Sequence, residues 1–291
     1  MVAIIFGVNG QDGFYLSQLL HDEQIEVIGV SRKGSFINGN VTDYDFVASI
    51  INDKKPNYIF HFAANSTTQH SALFENHETI CSGTINILEA VRLCSPHTKV
   101  FLSGSAMQFK NEGLSIDEET PFKASSAYSL ARIHSVYAGR YYRDKFGLNV
   151  YVGYFFNHDS PLRKEHHVNQ KIVKAVQRIA NGTKERLMLG NIDVLKEFGF
   201  AGDIIRAVWT LINQNEIFEV VIGTGVAHSI REWTILCFEN TGLKWEDYVE
   251  VNDSFIPEYK ILVSNPKLIN SLGWKPKYGM KELSELMMLN K

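Results

Sequence analysis

The sequence predicts an α/β protein in which a doubly wound parallel sheet is accompanied by a smaller C-terminal lobe. Three observations lead to this fold class. The first half alternates apolar runs of strand length with amphipathic helical segments, which is typical of a parallel sheet covered by helices on both faces. A glycine-rich turn joins the first predicted strand to the first predicted helix. Beyond residue 156 the alternation becomes irregular, and a length of 291 residues suits one such sheet domain with a lobe.

The predicted elements follow in chain order. The first strand occupies residues 2–6 and runs through the glycine turn into a helix that begins near Phe14. Asp43 is a residue type that caps helix N-termini, and it is predicted to start the second helix. The later strands are predicted over 25–30, 57–62, 99–102, 149–155, 186–189 and 219–222. The later helices are predicted over 43–52, around 80–91, and over 126–145, 168–180 and 203–211, with two more in the C-terminal third.

This order of elements predicts how the chain divides. We expect a dinucleotide-binding domain made of residues 1–156 together with about 200–225. The remaining residues, 157–199 and 226–291, are expected to form a substrate-binding lobe. Such a lobe would cover the carboxyl ends of the sheet strands, where open α/β sheets bind their ligands.

The glycine turn predicts a Rossmann-type dinucleotide site. Without side chains, Gly7 and Gly10 let the backbone turn sharply and approach a pyrophosphate, and Gly13 lets the helix pack close to the strand. The first N–H groups of the helix and the positive end of its dipole would then face the phosphates. The candidate cofactor contacts in the turn are Gly7, Asn9, Gly10, Gln11, Asp12 and Gly13.

Composition narrows the class of protein. Hydrophobic residues make up 45% and charged residues 21% of the chain, as in ordinary globular proteins, and the net charge of −3 gives no support to binding of nucleic acid or a membrane surface. No apolar run has the length of a membrane span and no signal peptide precedes the first strand, so we expect a cytoplasmic protein. Cys81, Cys94 and Cys237 are isolated, and we expect them to be reduced. The ten histidines form no cluster with ligand spacing, so no metal site is predicted.

The motifs resemble those of one protein family. The spacing of the glycines in the turn is similar to that of the extended short-chain dehydrogenase/reductase superfamily, and the ending Gln11-Asp12-Gly13 resembles the GDP-mannose 4,6-dehydratase family. Segments 155–161, 168–172, 189–199 and 223–232 also resemble motifs of that family, so the resemblance covers nearly the whole chain. It implies a nucleotide-diphosphate sugar as substrate, with GDP-linked sugars favoured, and an assembly that is either a homodimer or a homotetramer.

A tyrosine and an arginine are the candidate catalytic pair. Tyr128 and Arg132 stand one helical turn apart, so their side chains share a face. The pair resembles the Tyr-x-x-x-Lys of the family, in which the tyrosine exchanges a proton with the sugar while hydride moves, and the lysine holds the nicotinamide ribose. Arg132 keeps the positive charge but cannot give up a proton. The resemblance places Ser105 at the Ser/Thr position that contacts the reacting sugar oxygen.

The chief departure from the family is Met107. It stands where the dehydratases carry a glutamate that acts first as a base at C5 and then as an acid for loss of water at C6, and a methionine can do neither. The acidic residues 117–119 are another possible source of a carboxylate. The sequence therefore favours hydride transfer at C4, by a 4-keto reductase or a C4 dehydrogenase or epimerase. Two alternatives stay open: a GDP-sugar 4,6-dehydratase, and a catalytically silent nucleotide-binding protein.

Cofactor choice depends on the residues after the second strand. An acidic residue there would bind the adenosine ribose diol of NAD, and this chain has Arg32 followed by Lys33 instead. NADP is therefore favoured, and NAD stays open. The resemblance adds further cofactor contacts at Asn40, Val41, Ala63 and Ala64.

The resemblance also places the substrate contacts. Lys171 matches a lysine that contacts guanine in the family, and Lys196 replaces an arginine at the diphosphate with its charge kept. An arginine that the family carries before Pro257 is absent. The candidate substrate contacts are Ser105, Met107, Asn157, Val168, Lys171, Lys196 and Glu258.

Overall fold

The computed structural model describes residues 1–252 and 254–289 and is built around a seven-stranded sheet. The strands are β1 (Val2–Phe6), β2 (Glu26–Ser31), β3 (Ile37–Asn38), β4 (Tyr58–His61), β5 (Lys99–Ser105), β6 (Val150–Phe155), β7 (His158–Asp159), β8 (Leu187–Leu189), β9 (Leu195–Lys196), β10 (Gly199–Phe200), β11 (Glu219–Ile222), β12 (His228–Ser229), β13 (Val249–Val251) and β14 (Ile261–Leu262). The large sheet has the order β11-β6-β5-β4-β1-β2-β3, and every neighbouring pair is parallel. All its carboxyl ends therefore lie along one edge.

Helices cover both faces of this sheet. They are α1 (Gln11–Asp22), α2 (Tyr44–Lys54), α3 (Leu73–Asn76), α4 (Gly83–Cys94), α5 (Ala127–Phe146), α6 (Val168–Ala180), α7 (Ala201–Ile212), α8 (Ile230–Glu239), α9 (Lys267–Ser271) and α10 (Met280–Leu289). Successive residues of a strand point to opposite faces. Ile4 and Phe6 of β1 accordingly pack in a core with α2, α4 and α5, while Ala3 and Ile5 pack with α1 and α7. The predicted doubly wound parallel sheet is confirmed.

The later part of the chain adds a third apolar core. It packs α6, α8 and α10 around the fully buried Trp233, whose indole nitrogen donates to the Asn169 carbonyl at 3.3 Å. Three small sheets lie beside it: β12-β9-β14, β13-β8 and β10-β7. These short strands bring residues from distant parts of the sequence next to the carboxyl edge of the large sheet.

Local signals placed most helix starts correctly. Seven short strands were not predicted: β3, β7, β9, β10, β12, β13 and β14. The Asp43 carboxylate caps α2 by accepting from the Phe46 N–H at 3.1 Å, as predicted. Strand β3 lies within a segment that the sequence predicts as a loop. Its two residues are exposed and pair only with Val30 and Ser31, so no apolar alternation marks them.

Glu219, at the start of β11, links the edge strand of the large sheet to α5 through ion pairs and hydrogen bonds. Its carboxylate accepts from Arg140 and Arg143 at 2.7 Å each and from the hydroxyl of Tyr154. Burial alone would raise the pKa of Glu219, but the hydrogen bonds from these three side chains outweigh it and lower the pKa to about 2. The network therefore favours the ionised carboxylate in the folded protein.

We expect this network to make stability depend on acid pH. The folded pKa of about 2 lies below the unfolded value of 4.5, so the stabilisation is complete above the unfolded pKa and is lost as the pH falls towards the folded one. The difference corresponds to about 3 kcal/mol. Urea unfolding at a series of pH values should show the loss in the wild type and a flatter curve for Glu219→Gln. Parallel curves for the two proteins would contradict it.

Candidate active site

Three neighbouring cavities form a continuous groove along the carboxyl edge of the large sheet. The turn cavity, about 580 Å³, is lined by residues of the glycine turn, of the segment after β2 and of the end of β4. The central cavity, about 280 Å³, shares Phe62 and Ala64 with it. The lobe cavity, about 260 Å³, shares Glu258 and Tyr259 with the central cavity. An elongated ligand can therefore extend from the glycine turn into the lobe.

The glycine turn has the geometry that close approach of a ligand requires. Gly7 has φ +92°, and a Cβ there would lie 2.6 Å from the amide nitrogen of Ala63. A Cβ at Gly13 would lie 2.6 Å from the Cα of Val8, which explains the need for glycine where α1 packs on the turn. Gly10 is the N-cap of α1 and has no side chain to accept from the first N–H groups, so these stay available for an anion. A dinucleotide pyrophosphate fits this cradle.

Most of the candidate cofactor residues line the turn cavity. Arg32 and Lys33 stand at its rim, and none of its described lining residues is acidic. The candidate residues found there are Gly7, Asn9, Gly10, Arg32, Asn40, Val41, Ala63 and Ala64. Three candidates from the turn, Gln11, Asp12 and Gly13, are not among those lining this cavity.

Gln11 and Asp12 instead hold a distant segment against α1. Gln11 donates from Nε2 to the carbonyl of His158 at 3.3 Å, and its Oε1 accepts from the hydroxyl of Ser160 at 2.9 Å. Asp12 lies 3.0 Å from Nε2 of His158 and lines the central cavity. The side chains of Gln11 and Asp12 thus face residues 158–160 rather than the turn cavity, a pairing that the sequence did not predict.

The hydrogen bonds of His158 show its protonation state. Its Nδ1 lies 2.8 Å from the carbonyl oxygen of Phe156 and its Nε2 lies 3.0 Å from the Asp12 carboxylate, so both ring nitrogens face acceptors. An imidazole satisfies two acceptors only when both nitrogens carry protons. Burial lowers the pKa of His158, but the Asp12 charge outweighs burial and the pKa is raised. The pKa of Asp12 is lowered, because the His158 charge outweighs the effect of burial. The two residues therefore form a partly buried ion pair.

Tyr128 and Arg132 meet in the central cavity as the helical spacing predicts. Arg132 donates from Nε to the Tyr128 hydroxyl at 3.1 Å and from Nη1 to the Ser103 hydroxyl at 2.8 Å. Because Ser103 in turn donates to the His61 carbonyl at 2.9 Å, the ends of β4 and β5 fix the guanidinium next to the phenol. Burial, followed by the Arg132 charge, lowers the pKa of His61 to about 3, so this neighbouring imidazole is neutral.

Ser105 and Met107 also line the central cavity. Ser105 ends β5 and accepts from the Met107 N–H at 3.2 Å, which starts a short turn over residues 106–108. The acidic residues 117–119 do not line the central cavity: the Glu118 carboxylate, for example, accepts from the Val221 N–H at 2.6 Å. Among the described lining residues, the carboxylates are Asp12 and Glu258. The segment 117–119 therefore supplies no acid or base to this cavity.

The remaining substrate candidates divide between the cavities, with one exception. Asn157 lines the central cavity, Val168 and Lys196 line the lobe cavity, and Glu258 lines both. Lys196 is buried, and within the described residues no carboxylate lies in ion-pair contact with it. Burial lowers the pKa of Lys196 to about 8. Lys171 is the exception, because it is exposed and donates to the Met188 carbonyl at 2.7 Å outside the three cavities.

Residues 1–252 and 254–289 contain neither a metal cluster nor a membrane-spanning helix. No group of three or more His, Cys, Asp or Glu side chains in these ranges could hold a metal ion. No helix in them is long and apolar enough to cross a membrane. Cys81, Cys94 and Cys237 are free thiols.

The chain is similar to known proteins in both sequence and fold. A model of the family described as GDP-mannose 4,6 dehydratase matches residues 4–287. The GDP-mannose 4,6-dehydratase of Sinorhizobium fredii is 33% identical over 84% of this chain and 78% of its own. Two solved structures share the fold: the UDP-glucose 4-epimerase of Thermus thermophilus in complex with NAD (TM-score 0.86, 19% identity, 100% and 98% of the two chains), and RMD from Pseudomonas aeruginosa complexed with NADPH (TM-score 0.86, 19% identity, 99% and 98%). From the match along nearly its whole length, the chain belongs to the GDP-mannose 4,6-dehydratase family.

Proposed function

We propose that the protein is an NAD(P)-dependent oxidoreductase that transfers hydride at C4 of a nucleotide-diphosphate sugar, with a GDP-sugar as the favoured substrate. The observation that carries this proposal is the Tyr128–Arg132 pair, which lies in the central cavity between the glycine turn and the lobe. Family membership and the cradle at Gly7 support it. Residues 1–156 with about 200–225 would hold the cofactor, and 157–199 with 226–291 the sugar nucleotide.

The chain supplies proton transfer and orientation for this reaction. A bound nicotinamide cofactor would supply or accept the hydride. In the reductive direction, Tyr128 gives its phenolic proton to the carbonyl oxygen at C4, and in the oxidative direction it takes the hydroxyl proton. Arg132 donates to the phenolic oxygen and stabilises the negative charge that remains when the proton leaves. Ser105 provides a hydroxyl in the same cavity that can orient the reacting oxygen.

The cations beside the turn cavity favour NADP. Arg32 and Lys33 line it, and a 2′-phosphate would meet positive charge there. Arg32 also lies 3.5 Å from Glu75, but both side chains are exposed, so this contact is weak. Binding of NAD at the same turn stays open.

The lobe cavity is the proposed site of the nucleotide diphosphate. Lys196 brings a buried ammonium to its wall, and within the described residues no ion pair neutralises it. A diphosphate would supply the missing negative charge. A cytoplasmic location is part of the proposal, and the free thiols of Cys81, Cys94 and Cys237 fit it.

A 4,6-dehydratase is the second candidate function. Glu258 brings a carboxylate to the central cavity, and it accepts a hydrogen bond from Thr68 across that cavity. Met107 cannot perform the acid and base steps of dehydration. Hydride transfer without loss of water is therefore the favoured reaction.

One assay separates these functions. The purified protein is incubated with GDP-mannose and NADP or NAD, and separately with a GDP-4-keto sugar and the reduced cofactor. A change in absorbance of reduced nicotinamide without loss of water supports the proposal. A product lighter by one water supports the dehydratase. Tight nucleotide binding with neither change, and with no 4-epimer of the sugar formed, would favour the silent binder and overturn the proposal.

We also propose that the protein forms a homodimer through α4 and α5. Tyr137 and Tyr141 of α5 are 56% and 55% exposed, and Leu93 of α4 is 56% exposed. Both helices pack in the same core on one face of the sheet, and Tyr137 and Tyr141 stand one helical turn apart on an exposed face of α5. The double variant Tyr137→Glu with Tyr141→Glu should be monomeric in sedimentation, whereas Leu162→Glu, at an exposed apolar residue elsewhere, should not change the assembly. A wild-type monomer would contradict this proposal.

A further inference from the structure

One short segment reaches both the turn cavity and the central cavity. It consists of residues 161–167, which follow β7 and lead into α6. Arg163 and His167 line the central cavity, and Lys164 lines the turn cavity. We call residues 161–167 the bridging segment. Lys164 is therefore a residue outside the sheet domain that reaches the proposed cofactor site.

The start of the bridging segment is held close to the phosphate-binding end of α1. Ser160 donates to the Gln11 side chain at 2.9 Å, and His158 is paired with Asp12 at 3.0 Å. Both partners belong to the first turn of α1, whose first N–H groups have no side-chain cap. Lys164 is only four residues beyond Ser160 in the chain. Lys164 and Gly10, the N-cap of α1, line the same turn cavity.

The positive charges around the turn cavity favour the binding of an anion. Its described lining residues include three cations, Arg32, Lys33 and Lys164, and no carboxylate. Glu75 partly neutralises Arg32, but no ion pair to Lys164 occurs within the described residues. A flexible ammonium with three donors suits a phosphate oxygen as a point charge.

We propose that Lys164 is a phosphate-binding residue that contacts the pyrophosphate of the dinucleotide from the lobe side of the turn cavity. This inference rests on the proposed function, because it takes a dinucleotide as the ligand. The position next to the N-terminus of α1 favours the pyrophosphate over the 2′-phosphate, whose proposed contacts Arg32 and Lys33 follow β2. Lys164 would then contribute equally to binding of NAD and NADP.

Binding measurements on Lys164→Ala test this inference. Isothermal titration gives the affinity for NADPH, NADH, ADP-ribose and 2′-AMP, of which 2′-AMP alone lacks a pyrophosphate. We expect the variant to bind the first three about fivefold to thirtyfold more weakly and 2′-AMP as well as the wild type does. Lys184→Ala is the matched control, because Lys184 is an exposed lysine that lines none of the three cavities.

Other outcomes would overturn the inference in distinct ways. A loss confined to NADPH and 2′-AMP would assign Lys164 to the 2′-phosphate instead. Affinities equal to those of Lys184→Ala would show that Lys164 makes no phosphate contact. If the wild-type protein binds none of the pyrophosphate ligands, the proposed function fails, and the inference fails with it. Circular dichroism of the three proteins checks that a weakened affinity does not come from misfolding.

Discussion

The variant Tyr128→Phe should lose turnover by a factor of about 10²–10⁴ while its nucleotide affinity stays within about twofold of the wild type. The substitution removes only the hydroxyl that exchanges the proton with the sugar. The aromatic ring remains, so its contact with the Arg132 guanidinium, 5.1 Å from the ring centroid, should survive. The effect should therefore fall on kcat rather than on binding.

Steady-state rates and nucleotide titrations on the same preparations check this prediction. Tyr44→Phe is the matched control, because Tyr44 is an exposed tyrosine at the start of α2, away from the groove. The control should keep full turnover. Unchanged turnover in Tyr128→Phe would remove Tyr128 from the reaction and leave the proposed mechanism without its acid.

The variant Glu197→Ala should lose about 3–5 kcal/mol of folding stability. Glu197 is fully buried, and its carboxylate accepts from the N–H groups of Ser264 at 2.6 Å, of Gly225 at 3.2 Å and of Thr224. One side chain thus joins β9 to the segments that follow β11 and β14. Burial raises the pKa of this carboxyl. Its removal would leave the buried Ser264 N–H and the partly buried Thr224 N–H without this acceptor, each at a cost of about 1–3 kcal/mol.

Urea unfolding measures this loss. Glu197→Gln keeps one acceptor oxygen and should fall between the alanine variant and the wild type. Glu239→Ala, at an exposed carboxylate at the end of α8, should stay within about 0.5 kcal/mol of the wild type. An alanine variant at position 197 that unfolds with the wild type would show that water satisfies these N–H groups.

The large sheet was predictable because its signals are local. Runs such as Val2–Phe6 and Val150–Phe155 are apolar throughout, as strands buried on both faces must be, and helices of regular period separate them. Tyr128 and Arg132 were predictable as a pair because one helical turn fixes their relation. Resemblance to family motifs then identified most of the candidate cofactor residues that line the turn cavity.

The remaining features depend on contacts between distant segments. Ser103 and Arg132 are 29 residues apart, and their hydrogen bond exists only because β5 packs beside α5. The position of Lys171, donating to Met188, depends on how β8 lies against α6. The resemblance assigned Lys171 a guanine contact from its position in a sequence motif. A motif does not show which strand will lie next to the residue. Lys164 gave no sequence signal, because one cation in a polar loop is ordinary.

The bonds from the first turn of α1 to residues 158–160 also bear on the order in which the protein folds. Asp12 and His158 are separated by 146 residues, so the chain must close a long loop before they meet. During synthesis the N-terminal glycine turn emerges well before its partners do. We therefore expect a growing chain to form β1 and α1 early but to complete the ion pair only after β6 has emerged. Amide exchange of the α1 N–H groups should then report on the assembly of the whole sheet rather than on the local helix.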